Sequence, residues 1–219
     1  MAPLTLYTFA RSAPCRAVVL VCRNLNLDIE LKEVNLFEKA QLSADYLKVN
    51  PQHTVPCLDD NGFILWESRA ITEYLVESKA KGSPLYPIDD LKKKALVNQR
   101  LYFDAGTLYP RIRAICFPVL FLGEKKIAED KRKQLAEAFE FLNTFIGEHK
   151  WVCGDDLTIA DLSILASISS IVQVGADISG YKNLAKWYEN CKSLPGFAEN
   201  EAGAKLFGDA VKSKLDDKL

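Results

Sequence analysis

The chain has little of what metal centres and cross-linked frameworks are made from. It holds only two histidines, His53 and His149, far apart in the sequence. No metal site is expected on that basis. Six cysteines (Cys15, Cys22, Cys57, Cys116, Cys153, Cys191) are scattered without paired spacing through 219 residues. A chain this long does not need covalent staples, so they read as reduced thiols and the protein as cytoplasmic. Neither charge is in excess, with 28 Lys plus Arg against 29 Asp plus Glu, and no nucleic-acid partner is expected. The opening Met1-Ala2-Pro3-Leu4-Thr5 lacks the basic-then-apolar layout of a secretory signal, and no apolar run reaches the roughly 18 residues of a membrane span, so no membrane partner is expected either. There is no internal repeat and no low-complexity segment. What remains is a hydrophobic content of 48%, enough for one large core or two small ones.

The stretch around which the chain is organised is Tyr7 to Val19, YTFARSAPCRAVV. An apolar run from Leu4 to Phe9 stops at a polar turn and resumes with helical spacing through Ala17, Val18, Leu20, Val21 and Leu25. The pattern predicts strand, turn, helix, with Ser12 in the turn and Pro14 in the first helical turn, where its missing N–H costs little. Open N–H groups and the positive end of the helix dipole make this a place to hold an anion. Ser12-Ala13-Pro14-Cys15 has Cys-x-x-Cys spacing with serine in the leading position. A serine hydroxyl does not ionise at neutral pH, but it can donate a hydrogen bond to a thiolate carried in by a ligand. Taken alone, Ser12 also reads as a plain N-cap and Cys15 as a small buried residue.

Ile29 to Asn35 alternates as a half-buried strand does, so strand, helix, strand implies a right-handed crossover and a parallel pair. Ser43 is expected to cap a short helix from Ala44 to Val49, ended by Asn50-Pro51. The loop through His53, Thr54, Val55 and Pro56 leads to Cys57-Leu58-Asp59-Asp60 and Phe63-Ile64-Leu65-Trp66, joined by Asn61-Gly62, a strong hairpin signal. Ser68 is expected to cap the next helix. Lys79 to Asp90, with its Gly, Ser and two prolines, reads as a linker. The predicted division is residues 1–80 as an α/β unit, 81–90 as linker and 91–219 as an all-helical unit. In the latter, Pro110 and Pro118 are expected to kink or break the helical run from Leu91 to Leu122. Leu135, Ala138, Phe139, Leu142, Phe145 and Ile146 make an amphipathic face. Leu157 to Val174 reads as a buried core helix opened by a capping box, Asp161 reaching back to the Thr158 N–H.

Three polar clusters are expected to converge at one end of the sheet: Ser12, the His53 to Pro56 loop, and Glu67-Ser68-Arg69. A proline that opens a strand after a loop suits a cis bond, leaving Val55 to pair with an extended peptide. Glu67 suits an ammonium and Ser68, at a helix N-terminus, a carboxylate. Singly, each has a bland reading as a surface histidine, a cap or a solvated acid. Together, the segments SAPCRAV, NPQHTVP, NGFILWESRAI, QRLYFDAGTLYPR and LTIADLS resemble the cytosolic glutathione transferases, the insect delta and epsilon classes in particular. The resemblance runs from Leu4 to about Phe207.

That resemblance implies a thioredoxin-like domain with a mixed four-stranded sheet, a C-terminal helical bundle domain and a homodimer. It implies glutathione as co-substrate, with Ser12 catalytic and glutathione held by Ser12, Gln41, His53, Thr54, Val55, Pro56, Glu67, Ser68 and Arg69. Many relatives carry histidine where this chain has Gln41, which keeps a donor but no charge. The implied activity is attack of the thiolate on hydrophobic electrophiles, a detoxification chemistry, with dehydrochlorination or peroxide reduction open to the same thiolate. For the electrophile the sequence offers Phe37, Arg111, Ile112, Cys116, Phe117 and Phe207. An apolar and aromatic surface around Leu101, Tyr102 and Phe103 is expected to contribute to the dimer. Two other classes stand beside this one: a thiol oxidoreductase working through Cys15, and a non-catalytic carrier of apolar ligands.

Overall fold

A computed structural model describes residues 4–217 and 219. Met1, Ala2 and Pro3, on which part of the reading of the amino terminus rests, lie outside them. Strand β1 (Leu4–Thr8), helix α1 (Ala13–Asn24) and strand β2 (Ile29–Glu33) form the predicted crossover, with β1 and β2 parallel and Leu6 opposite Leu31. Two short 3-10 turns, Leu36–Glu38 and Ala40–Leu42, precede α2 (Ala44–Val49), whose first turn is capped by the Ser43 hydroxyl accepting from the Tyr46 N–H at 3.2 Å. Strands β3 (Cys57–Asp60) and β4 (Phe63–Trp66) are an antiparallel hairpin. Asn61 and Gly62 both take positive φ, as a two-residue turn of matching twist requires. The sheet order is β2-β1-β3-β4, mixed because β3 runs antiparallel to β1.

Helix α1 is buried on nearly every side. Val18, Val19 and Cys22 pack on the sheet with Leu4, Leu6, Leu58 and, from α3 (Ser68–Lys79), Ile71 and Leu75. Ala13, Ala17, Leu20 and Val21 face the opposite way into the helical core. One helix therefore joins the two units through its two apolar faces. The other face of the sheet is closed by Tyr46 of α2, packed with Val34 and Cys57.

The helical unit is built round α7 (Ile159–Val174), in which only Val172 and Gln173 escape full burial. Burial of Leu162, Ile164, Leu165, Ile168 and Ile171 contributes about 1.5–3 kcal/mol each. Its N-terminus is closed by Asp161, whose carboxylate accepts from the Thr158 N–H at 3.0 Å, the Thr158 hydroxyl at 2.9 Å, the Val152 N–H at 2.8 Å and the Trp187 ring N–H at 2.9 Å. Around it stand α4 (Leu91–Phe103), α5 (Tyr109–Phe117), α6 (Glu129–Ile146), α8 (Lys182–Cys191) and α9 (Phe197–Lys212).

Three expectations are corrected. Of the kink or break expected at the two prolines, the break does not occur: the run from Leu91 stays helical to Leu122. Wider π turns at Asp104–Leu108 and Pro118–Leu122 absorb the bonds that Pro110 and Pro118 cannot make. Ser68 is not a cap but the first residue of α3, and Glu67 holds the cap position without a side-chain cap bond. Leu101 is buried at 1% exposure, while its neighbour Tyr102 stands 72% exposed.

Candidate functional site

Sheet register places three segments at one edge. Cys57 pairs with Tyr7 on one side and Trp66 on the other. The residues that follow β1, precede β3 and follow β4 therefore leave the sheet together, and these hold Ser12, the His53 to Pro56 loop and Glu67-Ser68-Arg69.

At the first segment a tight turn closes when the Ser12 N–H donates to the Phe9 carbonyl at 2.8 Å. The first helical bond of α1 runs from Arg16 N–H to Ser12 carbonyl at 3.1 Å, so the N–H groups ahead of it have no helical acceptor. The half-buried Ser12 hydroxyl caps none of them. Cys15 lies behind, wholly buried, with its sulfur accepting from the Phe9 N–H at 3.4 Å. Burial pushes the Cys15 thiol above its ordinary value, opposed in part by the Ser12 hydroxyl and the Phe9 N–H.

The second segment is held from inside. Buried Asn50 donates its amide to the Thr54 carbonyl at 2.9 Å and hydroxyl at 3.1 Å and accepts from the Gln52 N–H at 3.0 Å. The Tyr46 hydroxyl adds a bond to the same carbonyl at 2.6 Å. His53 is exposed with φ of 48°, and the Val55–Pro56 bond is cis. Gln41 stands half-buried in the second 3-10 turn; its Oε1 is buried and has no partner among the described residues.

At the third segment, exposed Glu67 sits at φ 72° and ψ 104°, a strained place for a residue with a side chain. Ser68 is buried, and its oxygen accepts from Arg69 Nη1 at 3.0 Å, which leaves the hydroxyl proton to donate elsewhere. Arg69 in turn is paired with Asp104, which is fully buried and also accepts from the Ser163 hydroxyl at 2.6 Å and the Ser167 hydroxyl at 2.8 Å. The guanidinium lies over the Tyr109 ring, 5.7 Å from its centre. A chain of hydrogen bonds thus fixes Ser68 from the core of the helical unit.

Beside the first segment runs a row of phenylalanines. Phe9 meets Phe37 edge-on with centroids 5.6 Å apart, Phe37 meets Phe121 at 5.7 Å, and Phe121 meets Phe117 at 5.0 Å. Phe37 and Phe121 are 40% and 46% exposed, so the row presents an open apolar wall between the sheet unit and the helices. Arg11 lies 5.2 Å from the Phe37 ring centre and Arg113 lies 4.2 Å from that of Phe117.

Two family models cover most of the chain: Glutathione S-transferase, N-terminal domain, over residues 6–84, and Glutathione S-transferase, C-terminal domain, over residues 98–195. The chain belongs to the glutathione S-transferase family. Among solved structures it is similar to Glutathione S-transferase unclassified 2 from Bombyx mori, at 51% identity over 99% of this chain and 100% of that one, with a TM-score of 0.94. It is similar to a Nilaparvata lugens delta-class glutathione transferase at 47% identity, over 97% and 100% of the chains, with a TM-score of 0.92. An epsilon-class glutathione S-transferase from the housefly, Musca domestica, matches at 42% identity, over 99% and 100%, with a TM-score of 0.93.

Within this glutathione transferase, the side chains expected to line the electrophile site part company. Phe37 and Phe117 stand in the open row. Ile112 and Cys116 are each 2% exposed in the helical core, and burial pushes the Cys116 thiol up to about 12. Phe207 is half-buried against the same core. Arg111 turns to α6, donating to the Gln134 carbonyl and to Glu137 at 2.8 Å. The helical period explains it: residues 113 and 117 share one face of α5, and 111 lies on another. Sequence reasoning missed Phe121, Arg113, Asn50, Asp104, Ser163 and Ser167. Only the last pair left a signal, two of the four serines on a helix that is mostly apolar.

Proposed function

We propose that glutathione lies extended across the sheet edge with its sulfur at Ser12, and that Ser12 stabilises the thiolate. The observation that carries this is the open start of α1, where a serine hydroxyl that makes no cap bond stands beside N–H groups that have no helical acceptor. A free thiol has a pKa of about 8.5, and lowering it by about two units requires roughly 2.7 kcal/mol. One charge-assisted hydrogen bond at about 1.5–3 kcal/mol and a helix terminus at about 0.3–1 kcal/mol suffice together. The γ-glutamyl ammonium is read onto Glu67 and its carboxylate onto Ser68 and the α3 N-terminus. Val55 pairs with the peptide backbone, flanked by Thr54 and Pro56, and His53 and Gln41 offer donors to the glycine carboxylate. Arg69 orients Ser68.

The electrophile is read onto the row of Phe9, Phe37, Phe117 and Phe121, with Arg113 beside it in place of Arg111. With a chlorinated aromatic, the sulfur forms a bond to the ring carbon, the carbon–chlorine bond breaks and chloride leaves, while the thiol proton has gone to water. Dehydrochlorination and peroxide reduction remain proposals for the same thiolate. The buried, raised thiol of Cys15 speaks against an oxidoreductase working through that residue. The test is a pair of variants: Ser12→Ala should raise the bound-thiol pKa, and Cys15→Ala should cost some stability and little rate. Loss of nearly all activity in a folded Cys15→Ala, with an unmoved thiol pKa in Ser12→Ala, would overturn the reading.

We read the assembly as a homodimer acting in the cytoplasm, with residues 1–80 and 91–219 as its two domains. Exposed Tyr102 on α4 and six free cysteines, five of them buried, support this. Sedimentation of a single 24.5 kDa species at micromolar concentration would contradict the dimer.

A further inference from the structure

The turn that carries Ser12 is gripped from the far end of the chain. Arg16, one helical turn beyond Ser12 and 4% exposed, donates from Nη1 to the Ala10 carbonyl at 3.1 Å, inside the Phe9 to Ser12 turn. Its Nε donates to Oδ1 of Asn200 on α9 at 3.0 Å, and its Nη2 to the Ala166 carbonyl at 3.0 Å and to the Ser170 hydroxyl, both on α7. Every acceptor among the described residues is neutral; the Glu201 carboxylate acts on the guanidinium through space but forms no ion pair with it. Such a charge is costly to bury unless its geometry is fully satisfied, and the cost rises if an acceptor moves. Asn200 is itself 2% exposed and fixed by a bond from its amide to the Ser169 hydroxyl at 2.8 Å.

A second contact on the same carbonyl comes from Gly203, one turn along α9. A Cβ at Gly203 would sit 2.4 Å from the Ala10 oxygen and 2.7 Å from Cδ of Arg16. Only a residue without a side chain lets α9 lie this close to the turn. Further along the seam the Arg11 Nε donates to the Leu206 carbonyl at 3.3 Å, and Arg23 pairs with Glu199 at 2.8 Å. Helix α9 touches the Ser12 turn at Ala10 through Gly203 and, by way of Asn200 and Arg16, a second time.

We infer that Arg16, Asn200 and Gly203 are positioning residues for thiolate formation, setting the Ser12 hydroxyl through the Ala10 carbonyl. The inference rests on the reading that Ser12 donates to the bound thiolate. The experiment is a titration of thiolate absorbance near 240 nm with glutathione bound, together with the affinity for S-hexylglutathione, in wild type and five variants. Ser12→Ala tests the underlying reading alone. Gly203→Ala and Asn200→Ala should each raise the bound-thiol pKa by about 0.5–1 unit, with S-hexylglutathione affinity within a few-fold of wild type. Asn200→Asp, which keeps an acceptor for Arg16, should return the pKa toward wild type. Arg23→Gln, at the outer end of the seam, should leave it unmoved. Asn200→Ala adds no clash, so it carries the test if Gly203→Ala fails to fold. A raised pKa in Ser12→Ala beside an unmoved pKa in a folded Asn200→Ala or Gly203→Ala overturns the positioning role. An unmoved pKa in Ser12→Ala overturns the reading beneath it.

Discussion

Helices α1 and α7 begin in opposite ways. At α7 the chain closes its own end: Thr158 and Asp161 exchange bonds, and Val152 and Trp187 add donors to the same carboxylate. At α1 the hydroxyl that sits where a cap belongs makes no cap bond. The first arrangement stabilises the fold and offers nothing to a ligand. The second gives up about 0.5–2 kcal/mol of capping energy and keeps donors in reserve. A helix start that is satisfied is architecture, and one left open beside a cleft is a binding site.

The comparison breaks most visibly at α7. Asp161→Ala would leave four buried donors without an acceptor, at about 1–3 kcal/mol each. It should lose about 4 kcal/mol or more of stability in urea unfolding, with any folded fraction keeping a normal bound-thiol pKa. Ser12→Ala should do the reverse. Its unfolding free energy should stay within about 0.5 kcal/mol of wild type, below the usual loss of a cap. Its kcat/KM for a chlorinated aromatic should fall by about ten- to a hundredfold at pH 6.5, the loss of about 1.4–2.7 kcal/mol in the transition state, and by less at pH 9. Glu67→Gly sharpens the contrast at a third helix start. Relief of the strained φ should stabilise the protein by about 1 kcal/mol, while the Kd for S-hexylglutathione measured by calorimetry rises about tenfold.

The smallest effect is at the opposite end of α3, where Asp60 is held by Lys79, the Tyr74 hydroxyl and the Asn61 amide. The Lys79 ammonium holds the Asp60 carboxyl below its ordinary value, with Tyr74 and Asn61 adding to it. A depressed carboxyl stabilises the fold above its unfolded pKa of about 4 and loses that contribution as pH falls toward the folded value. Asp60→Asn should therefore cost under about 1 kcal/mol at pH 7, and the gap to wild type should close below about pH 4.

What could be read from sequence was what is local. The Ser12 turn, the Asn61-Gly62 hairpin, the Ser43 cap and the Thr158–Asp161 box each lie within a few residues, and their chemistry admits few alternatives. Ser68 was misplaced as a cap because nothing in the residue types announces that Glu67 would take a positive φ. A break was one of the two outcomes expected at Pro110 and Pro118 because the π turns that absorb them lie against helices distant in sequence, α6 and α7 for the first and α9 for the second. The bonds from Arg69 to Asp104 and on to Ser163 and Ser167 span three helices, so spacing could not join them. The same holds for Arg16, whose acceptors lie on α7 and α9. Arg111 was named for the electrophile as the last residue of the QRLYFDAGTLYPR segment; the direction it faces is set by α6 and Glu137.

The central claim is that the open start of α1 lowers the pKa of a bound thiol through Ser12. Titrating glutathione thiolate absorbance near 240 nm in the wild-type complex and in Ser12→Ala tests it without relying on turnover. The wild-type complex should titrate about two units below free glutathione, and Ser12→Ala should return most of that shift. A Ser12→Ala complex that binds glutathione and titrates with the wild type would contradict the claim.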